Sequence, residues 1–297
     1  MKKTFLFLIT AFSFLLSGQA AEKAKHVVLI GLDGWGAYSV SKAEIPNIRK
    51  MMNEGCYTLK KRSALPSSSA INWASMFMGA GPELHGYTQW GSKVPELPSR
   101  EMTENGIFPT IFYLLHKARP EAEIGCLYEW EGIKYLVDTL ALDYHAQAPD
   151  YNKHPEALCG MAEKYIKEKT PVLLAVCFDN PDHVGHAAGH DTPEYYAKLN
   201  ELDTYVARIV HAVKDAGMFD ETIFIITADH GGINKGHGGK TMQEMETPFI
   251  ICGKNVKKGG EFSESMMQYD VASTIAYIFG LKQPQVWIGR PMKQVFK

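Results

Sequence analysis

Five short apolar runs set the frame for this chain: His26–Leu32, Ile124–Leu127, Val172–Phe178, Thr222–Thr227 and Pro248–Cys252. None alternates apolar with polar residues, the pattern of a strand with one wet face. Runs of this kind fit strands of a parallel sheet covered on both sides. Helical periodicity fills the spaces between them. In the clearest case Thr192 stands as an N-cap, Pro193 takes the first helical position, and Leu199, Leu202, Val206, Ile209, Val210 and Val213 recur at spacings of three and four before Gly217. Strand and helix alternate along the sequence, so the expected fold is a doubly wound α/β sandwich with a mostly parallel sheet. With no internal repeat or low-complexity linker, one domain over residues 22–297 is expected.

That architecture says where chemistry belongs, because open parallel sheets bind ligands beyond the carboxyl ends of their strands. The first run ends at Asp33-Gly34, the third runs into Asp182-His183-Val184-Gly185-His186, and the fourth into Asp229-His230-Gly231, with His237 between glycines shortly after. Alone, Asp33 serves equally well as a turn residue or a helix cap. Asp182 and His186, four apart, share a face if the segment is helical. Taken together, three carboxylates and three imidazoles at one sheet edge supply the donors that two divalent ions need, with zinc the expected metal. His183 and His190 are read as lying outside the ligand set. Ser69 opens a helical stretch that Gly79 closes. There it serves either as a plain cap or as a nucleophile among free backbone N–H groups. Asn72, one turn on, is placed to donate to a phosphoryl oxygen.

Composition excludes other classes. The chain has 297 residues, 45% hydrophobic and 22% charged, with a net charge of -2 and no dense basic run beyond the N-terminus, so binding to duplex nucleic acid is not expected. Lys2 and Lys3 precede an apolar stretch from Phe5 to Leu16 and then small residues, which reads as a signal peptide over residues 1–20. The mature chain is then periplasmic or secreted, bacterial in style, and without a membrane span. Five cysteines (Cys56, Cys126, Cys159, Cys177 and Cys252) show no CxxC pair and read as small buried side chains.

Asp33-Gly, Ser69-Ala-Ile-Asn72, Gly-Pro-Glu-Leu-His-Gly at 81–86, Pro-Asp182-His-Val-Gly-His186 and Asp229-His230-Gly, in this order, resemble the nucleotide pyrophosphatase/phosphodiesterase family of the alkaline phosphatase superfamily. The resemblance implies an alkaline phosphatase-like three-layer α/β/α sandwich. It implies one metal on Asp182, His186 and His237, and a second on Asp33, Asp229 and His230 with Ser69 beside it. It further implies hydrolysis of phosphodiester or nucleotide pyrophosphate bonds in a small-molecule ester through a phosphoserine intermediate. The close-coupled Gly-His237-Gly resembles shorter relatives such as phosphoethanolamine transferase-like proteins, and serine stands where many members carry threonine. His85 is expected to be structural. A phosphomonoesterase is the rival reading and would need an added cation, with Arg62 or Arg100 as candidates. A sulfatase is disfavoured because Ile71 and Trp73 stand where that group needs Pro and Arg. A non-catalytic secreted binding domain is the remote alternative. Tyr87, Trp90, Tyr128 and Trp130 are candidate contacts for the leaving group.

Overall fold

The computed structural model describes residues 22–297; the signal-peptide reading falls on residues 1–20, outside that range. The strands are β1 (His26–Leu32), β2 (Cys56–Arg62), β3 (Ile124–Tyr128), β4 (Tyr144–Gln147), β5 (Leu173–Phe178), β6 (Thr222–Thr227), β7 (Glu246–Gly253) and β8 (Gly260–Glu261). The α-helices are α1 (Pro46–Glu54), α2 (Ser69–Met78), α3 (Pro82–His85), α4 (Ile111–Ala118), α5 (Ala157–Lys169), α6 (Asp182–Ala188), α7 (Pro193–Asp215), α8 (Met242–Met245) and α9 (Asp270–Ile278). All the strands join one sheet in the order β4-β3-β5-β1-β6-β7-β2-β8.

The centre of the sheet explains the uninterrupted apolar runs. β1 lies between β5 and β6 and is parallel to both. Val27 and Leu29 pack with α2, α4 and α9 on one face, whereas Val28, Ile30 and Leu32 pack with α1, α5 and α7 on the other. Both sides of the strand are dry, and each fully buried Leu or Ile contributes roughly 1.5–3 kcal/mol. The sheet is therefore the middle layer of an α/β/α sandwich. The expected cap of α7 is present: the Thr192 side chain accepts from the Tyr195 N–H, and Pro193 opens the helix. Gly217 follows its end at φ 71°.

The structure departs from the sequence reading at one side of the sheet. β7 contains the fifth apolar run but is antiparallel to both β6 and β2. A parallel return needs a full crossover, normally helical. The residues between β6 and β7 instead form the loop carrying Asp229, His230 and His237, with only the single-turn α8. β2 escapes periodicity analysis because it reads Cys-Tyr-Thr-Leu-Lys-Lys-Arg, yet Lys61 within it is fully buried. Among the described residues, no helix is long and apolar enough to cross a membrane.

Candidate metal and nucleophile site

β1, β5 and β6 are neighbours, so the segments that follow them converge at their carboxyl ends. Asp33 follows β1 directly. Its Oδ2 accepts from Trp73 Nε1 at 2.9 Å, an approach that requires Gly31, where a Cβ would lie 2.2 Å from the Trp73 ring. Asp229 lies two residues beyond the end of β6, and its Oδ1 accepts from the Gly34 N–H at 3.1 Å. Their remaining oxygens, Asp33 Oδ1 and Asp229 Oδ2, are buried without a hydrogen-bond partner. They lie 3.4 and 3.2 Å from His230 Nε2. His230 Nδ1 faces the Gly231 carbonyl at 2.8 Å. A carbonyl only accepts, so Nδ1 carries the proton and the Nε2 lone pair points at the two carboxylates.

The second group is built the same way. Asp182 opens α6, and its Oδ2 lies 3.0 Å from His186 Nε2 and 3.7 Å from His237 Nε2. His186 Nδ1 faces the Lys235 carbonyl at 2.9 Å and His237 Nδ1 the Ser67 carbonyl at 3.1 Å. Two Nε2 atoms therefore meet each other at 3.1 Å beside a carboxylate. Once His186 gives up the proton it shares with Asp182, these atoms present converging lone pairs that suit a cation between them, as do the two orphaned carboxylate oxygens nearby. The residues thus fit divalent metal ions. Donor atoms of Asp182, His186 and His237 lie within 4.8 Å of one another, as do those of Asp33, Asp182 and His230. This second set takes Asp182 where the resemblance implied Asp229, although Asp229 Oδ2 remains beside His230.

Electrostatics agree with geometry. Burial, reinforced by the charges of Asp229, Asp182 and Asp179, pushes the Asp33 carboxyl well above its usual range. Burial likewise takes Asp229 up to about 7, against the Gly34 hydrogen bond and with the Asp182 charge. Burial opposes ionisation of Asp182 too, but hydrogen bonds from His186 and His190 outweigh it and hold that carboxyl far below the ordinary value. The same contact raises His186 to about 9. His237 falls to about 4 through burial and the neighbouring His230, whose ring stacks on it at 3.9 Å.

Ser69 is the first residue of α2, behind an extended Ser68 at φ -137° and ψ 157°. Its Oγ lies 3.1 Å from His230 Nε2. Ser67 instead turns its hydroxyl to the Gly239 carbonyl at 2.7 Å, and Ser68 Oγ lies 3.5 Å from His237 Nδ1.

Asn72 is where the structure corrects the sequence reading. Its Nδ2 lies 3.1 Å from each of the Ala64, Pro66 and Ser68 carbonyls, and its Oδ1 accepts from the Ala64 N–H at 2.6 Å. The side chain is fully buried and spent on shaping the loop before Ser69. Asn72 thus has no amide hydrogen free for a phosphoryl oxygen.

Of the other histidines, His85 is structural as expected, held between Ser75 Oγ at 3.0 Å and the Tyr87 N–H at 3.1 Å. His183 pairs with the Tyr151 hydroxyl at 3.0 Å. His190 is buried against Asp182. Among the candidate aromatics, Tyr87 and Tyr128 are buried, whereas Trp90 is 69% exposed. The Trp90 carbonyl accepts from the Ala70 N–H at 3.1 Å, which places this residue beside the start of α2. Sequence reasoning missed Trp73, whose only signal is its position four residues after Ser69. It also missed Lys61, which donates to the Ala228 carbonyl at 2.8 Å and contacts Gln268. Burial brings the Lys61 ammonium down to about 7.

A mostly parallel α/β/α sandwich with carboxylates, imidazoles and a helix-starting serine at one strand edge defines an alkaline phosphatase-like enzyme. The chain belongs to the type I phosphodiesterase/nucleotide pyrophosphatase family, whose model matches residues 27–237. It is similar to GPI ethanolamine phosphate transferase 3 of Schizosaccharomyces pombe, 28% identical over 169 residues, covering 54% of this chain and 18% of the relative. Bis(5'-adenosyl)-triphosphatase ENPP4 of Bos taurus is 21% identical over 254 residues, 76% of this chain and 52% of the relative. The fold also matches murine ectonucleotide pyrophosphatase/phosphodiesterase 5 in complex with AMP, with a TM-score of 0.73 at 14% identity, covering 92% of this chain and 100% of that one. The chain spans less than a fifth of the length of the transferase relatives it matches.

Proposed function

We propose that this protein is a metal-dependent hydrolase of phosphate esters that prefers phosphodiester or nucleotide pyrophosphate bonds and works through a phosphoserine. The observation that carries this reading is Ser69 Oγ at 3.1 Å from His230 Nε2, inside the ring of converging donors. Asp182, His186 and His237 would hold one divalent ion, and Asp33, Asp229 and His230 another, with zinc favoured by the mixed nitrogen and oxygen donors. When bound, such ions supply positive charge against the phosphate and lower the pKa of the attacking hydroxyl.

This chain's own residues do the rest. The start of α2 presents Ser69 Oγ to phosphorus and the Ser69 N–H to a phosphoryl oxygen, the Ala70 N–H being taken by the Trp90 carbonyl. The Ser69 hydroxyl gives its proton to solvent and Oγ forms the new P–O bond as the leaving-group oxygen departs. The remaining ester group stays on the phosphorylated serine, and water then cleaves the Ser69–phosphorus linkage to release the phosphomonoester. Trp90, exposed and tied by its carbonyl to the Ala70 N–H, is the candidate contact for a planar leaving group.

The diester reading is preferred over the phosphomonoesterase because the matching family is that of type I phosphodiesterases and nucleotide pyrophosphatases; of the candidates for the extra cation, Arg62 pairs with Glu246 at 3.5 Å. The test is turnover of nitrophenyl phosphate, nitrophenyl phosphodiester and nitrophenyl sulfate by the zinc-loaded protein, with and without an alcohol acceptor. Diester cleavage to the free phosphomonoester is expected. Faster monoester or sulfate turnover, or transfer to the alcohol in place of water, would overturn it. We further propose that residues 1–20 direct export and are removed, which N-terminal sequencing of the native protein checks.

A further inference from the structure

The glycines inside the two ligand motifs share one neighbour. A Cβ on Gly185, between Asp182 and His186, would lie 2.3 Å from His190 Nε2. A Cβ on Gly232, two residues after His230, would also lie 2.3 Å from that ring. Real Cβ atoms do not approach so closely, so both motifs leave a slot that the imidazole of His190 fills. Its depth is fixed by the backbone: the His190 N–H donates to the Asn234 carbonyl at 2.6 Å, and Nδ1 faces the same oxygen at 3.2 Å. Asp182 Oδ1 accepts from Nε2 at 3.1 Å; with oxygen acceptors facing both ring nitrogens, both act as N–H donors in this arrangement. On the other side of that carboxylate, Gly34 packs so tightly that a Cβ there would lie 2.6 Å from Oδ1.

We propose that His190 is a positioning residue for Asp182: it occupies Oδ1 and so turns Oδ2 toward His186 and His237, where a metal ion would be held. The proposal rests on the metal-site reading above and adds to it a residue outside the ligand set. Asp182 is the carboxylate shared by both donor groups. A wrong rotation of its carboxylate therefore disturbs both positions at once. His183, although nearer in sequence, is committed to Tyr151 and has no such part. Partners that orient a ligand in this way typically change metal affinity about 10–100-fold when removed.

The experiment measures zinc affinity of the full chain by competition with a chromogenic chelator, for wild type, His190→Ala, His190→Leu, His190→Gln and Gly232→Ala. Thermal unfolding of each metal-free protein is recorded alongside. His190→Ala and His190→Leu are expected to bind zinc about 10–100-fold more weakly. His190→Gln keeps a donor in the slot and is expected to stay within about fivefold of wild type. Gly232→Ala displaces the ring and is expected to behave like His190→Ala. Should His190→Ala fail to fold, the Gln and Leu variants decide the matter. Equal affinity in those two, or a His190→Gln protein that does not fold, overturns the proposal, as does wild-type affinity in His190→Ala. A merely structural role would lower the unfolding temperature of His190→Gln and His190→Leu alike without separating their affinities. Wild-type protein that binds no zinc would instead sink the hydrolase reading itself.

Discussion

Ser69 Oγ and His230 Nε2 are 3.1 Å apart, although 160 residues separate them in the chain. The contact joins the first turn of α2 to the end of β6. Because His230 Nδ1 is committed to the Gly231 carbonyl, the nitrogen facing Ser69 is an acceptor.

Ser69→Ala is therefore expected to cut diester turnover by a factor on the order of 10³ or more, with zinc content and unfolding temperature little changed. Ser69→Thr keeps a hydroxyl and retains measurable activity. Acid quench during diester turnover should trap a phosphorylated Ser69 that still carries the substrate's second ester group in wild type, and no such adduct in Ser69→Ala. Activity of the alanine variant within about threefold of wild type would mean that water attacks phosphorus directly.

Asn72→Ala is expected to act on stability. Removing the amide leaves the Ala64 N–H and carbonyl without their partner, whereas the Pro66 and Ser68 carbonyls keep the Ser68 and Asn72 N–H groups; one unsatisfied buried group typically costs about 1–3 kcal/mol. Chemical denaturation should show a loss of about 2 kcal/mol or more. Unchanged stability with lost turnover would restore the oxyanion role that the hydrogen bonds argue against.

Asp33→Asn separates metal binding from folding. Metal-free wild type carries Asp33 among the charges of Asp229 and Asp182, so the neutral variant is expected to unfold at the same temperature or higher without metal. Zinc raises the unfolding temperature of wild type by binding the folded state. That increment should shrink in Asp33→Asn without vanishing, because the ion on Asp182, His186 and His237 does not use Asp33. An intact zinc increment would exclude Asp33 as a ligand.

Zinc affinity should depend on pH through His186. Its proton is held up to about 9 by Asp182, above the ordinary histidine value. The His186–Asp182 contact thus stabilises the metal-free protein fully below the unfolded value of about 6.5, and this is lost as pH rises through about 9. Zinc must displace that proton, so apparent affinity is expected to rise by about tenfold per pH unit between about 7 and 9. Calorimetry in buffers of different ionisation enthalpy counts the proton released. Affinity flat over that window would show that His186 does not bind the metal.

Much of this was legible from residue order. Uninterrupted apolar runs require two dry faces, so β1, β5 and β6 could be placed in a covered parallel sheet, and Asp33, Asp182 and Asp229 at its ligand edge. The cap of α7 was legible because Thr-Pro acts on its own next turn. Local chemistry of this kind needs no distant partner.

Other features depended on distance. The antiparallel return of β7 follows from a connection occupied by the His237 loop, and β2 is a strand because its neighbours bury Lys61 despite its charge. Asn72 sits at a plausible helical spacing from Ser69, yet which way its amide faces was set by the loop at 64–68 folding back over it. His183 and His190 looked alike as histidines near a ligand motif. One is drawn off by Tyr151, and the other is seated by Gly185 and Gly232 against Asp182. Sequence by itself determined which donors reach the strand ends, because strand periodicity and chain order are local properties. Tertiary structure alone decided which polar atoms are left free there, because hydrogen bonds are allotted among groups that only folding brings together.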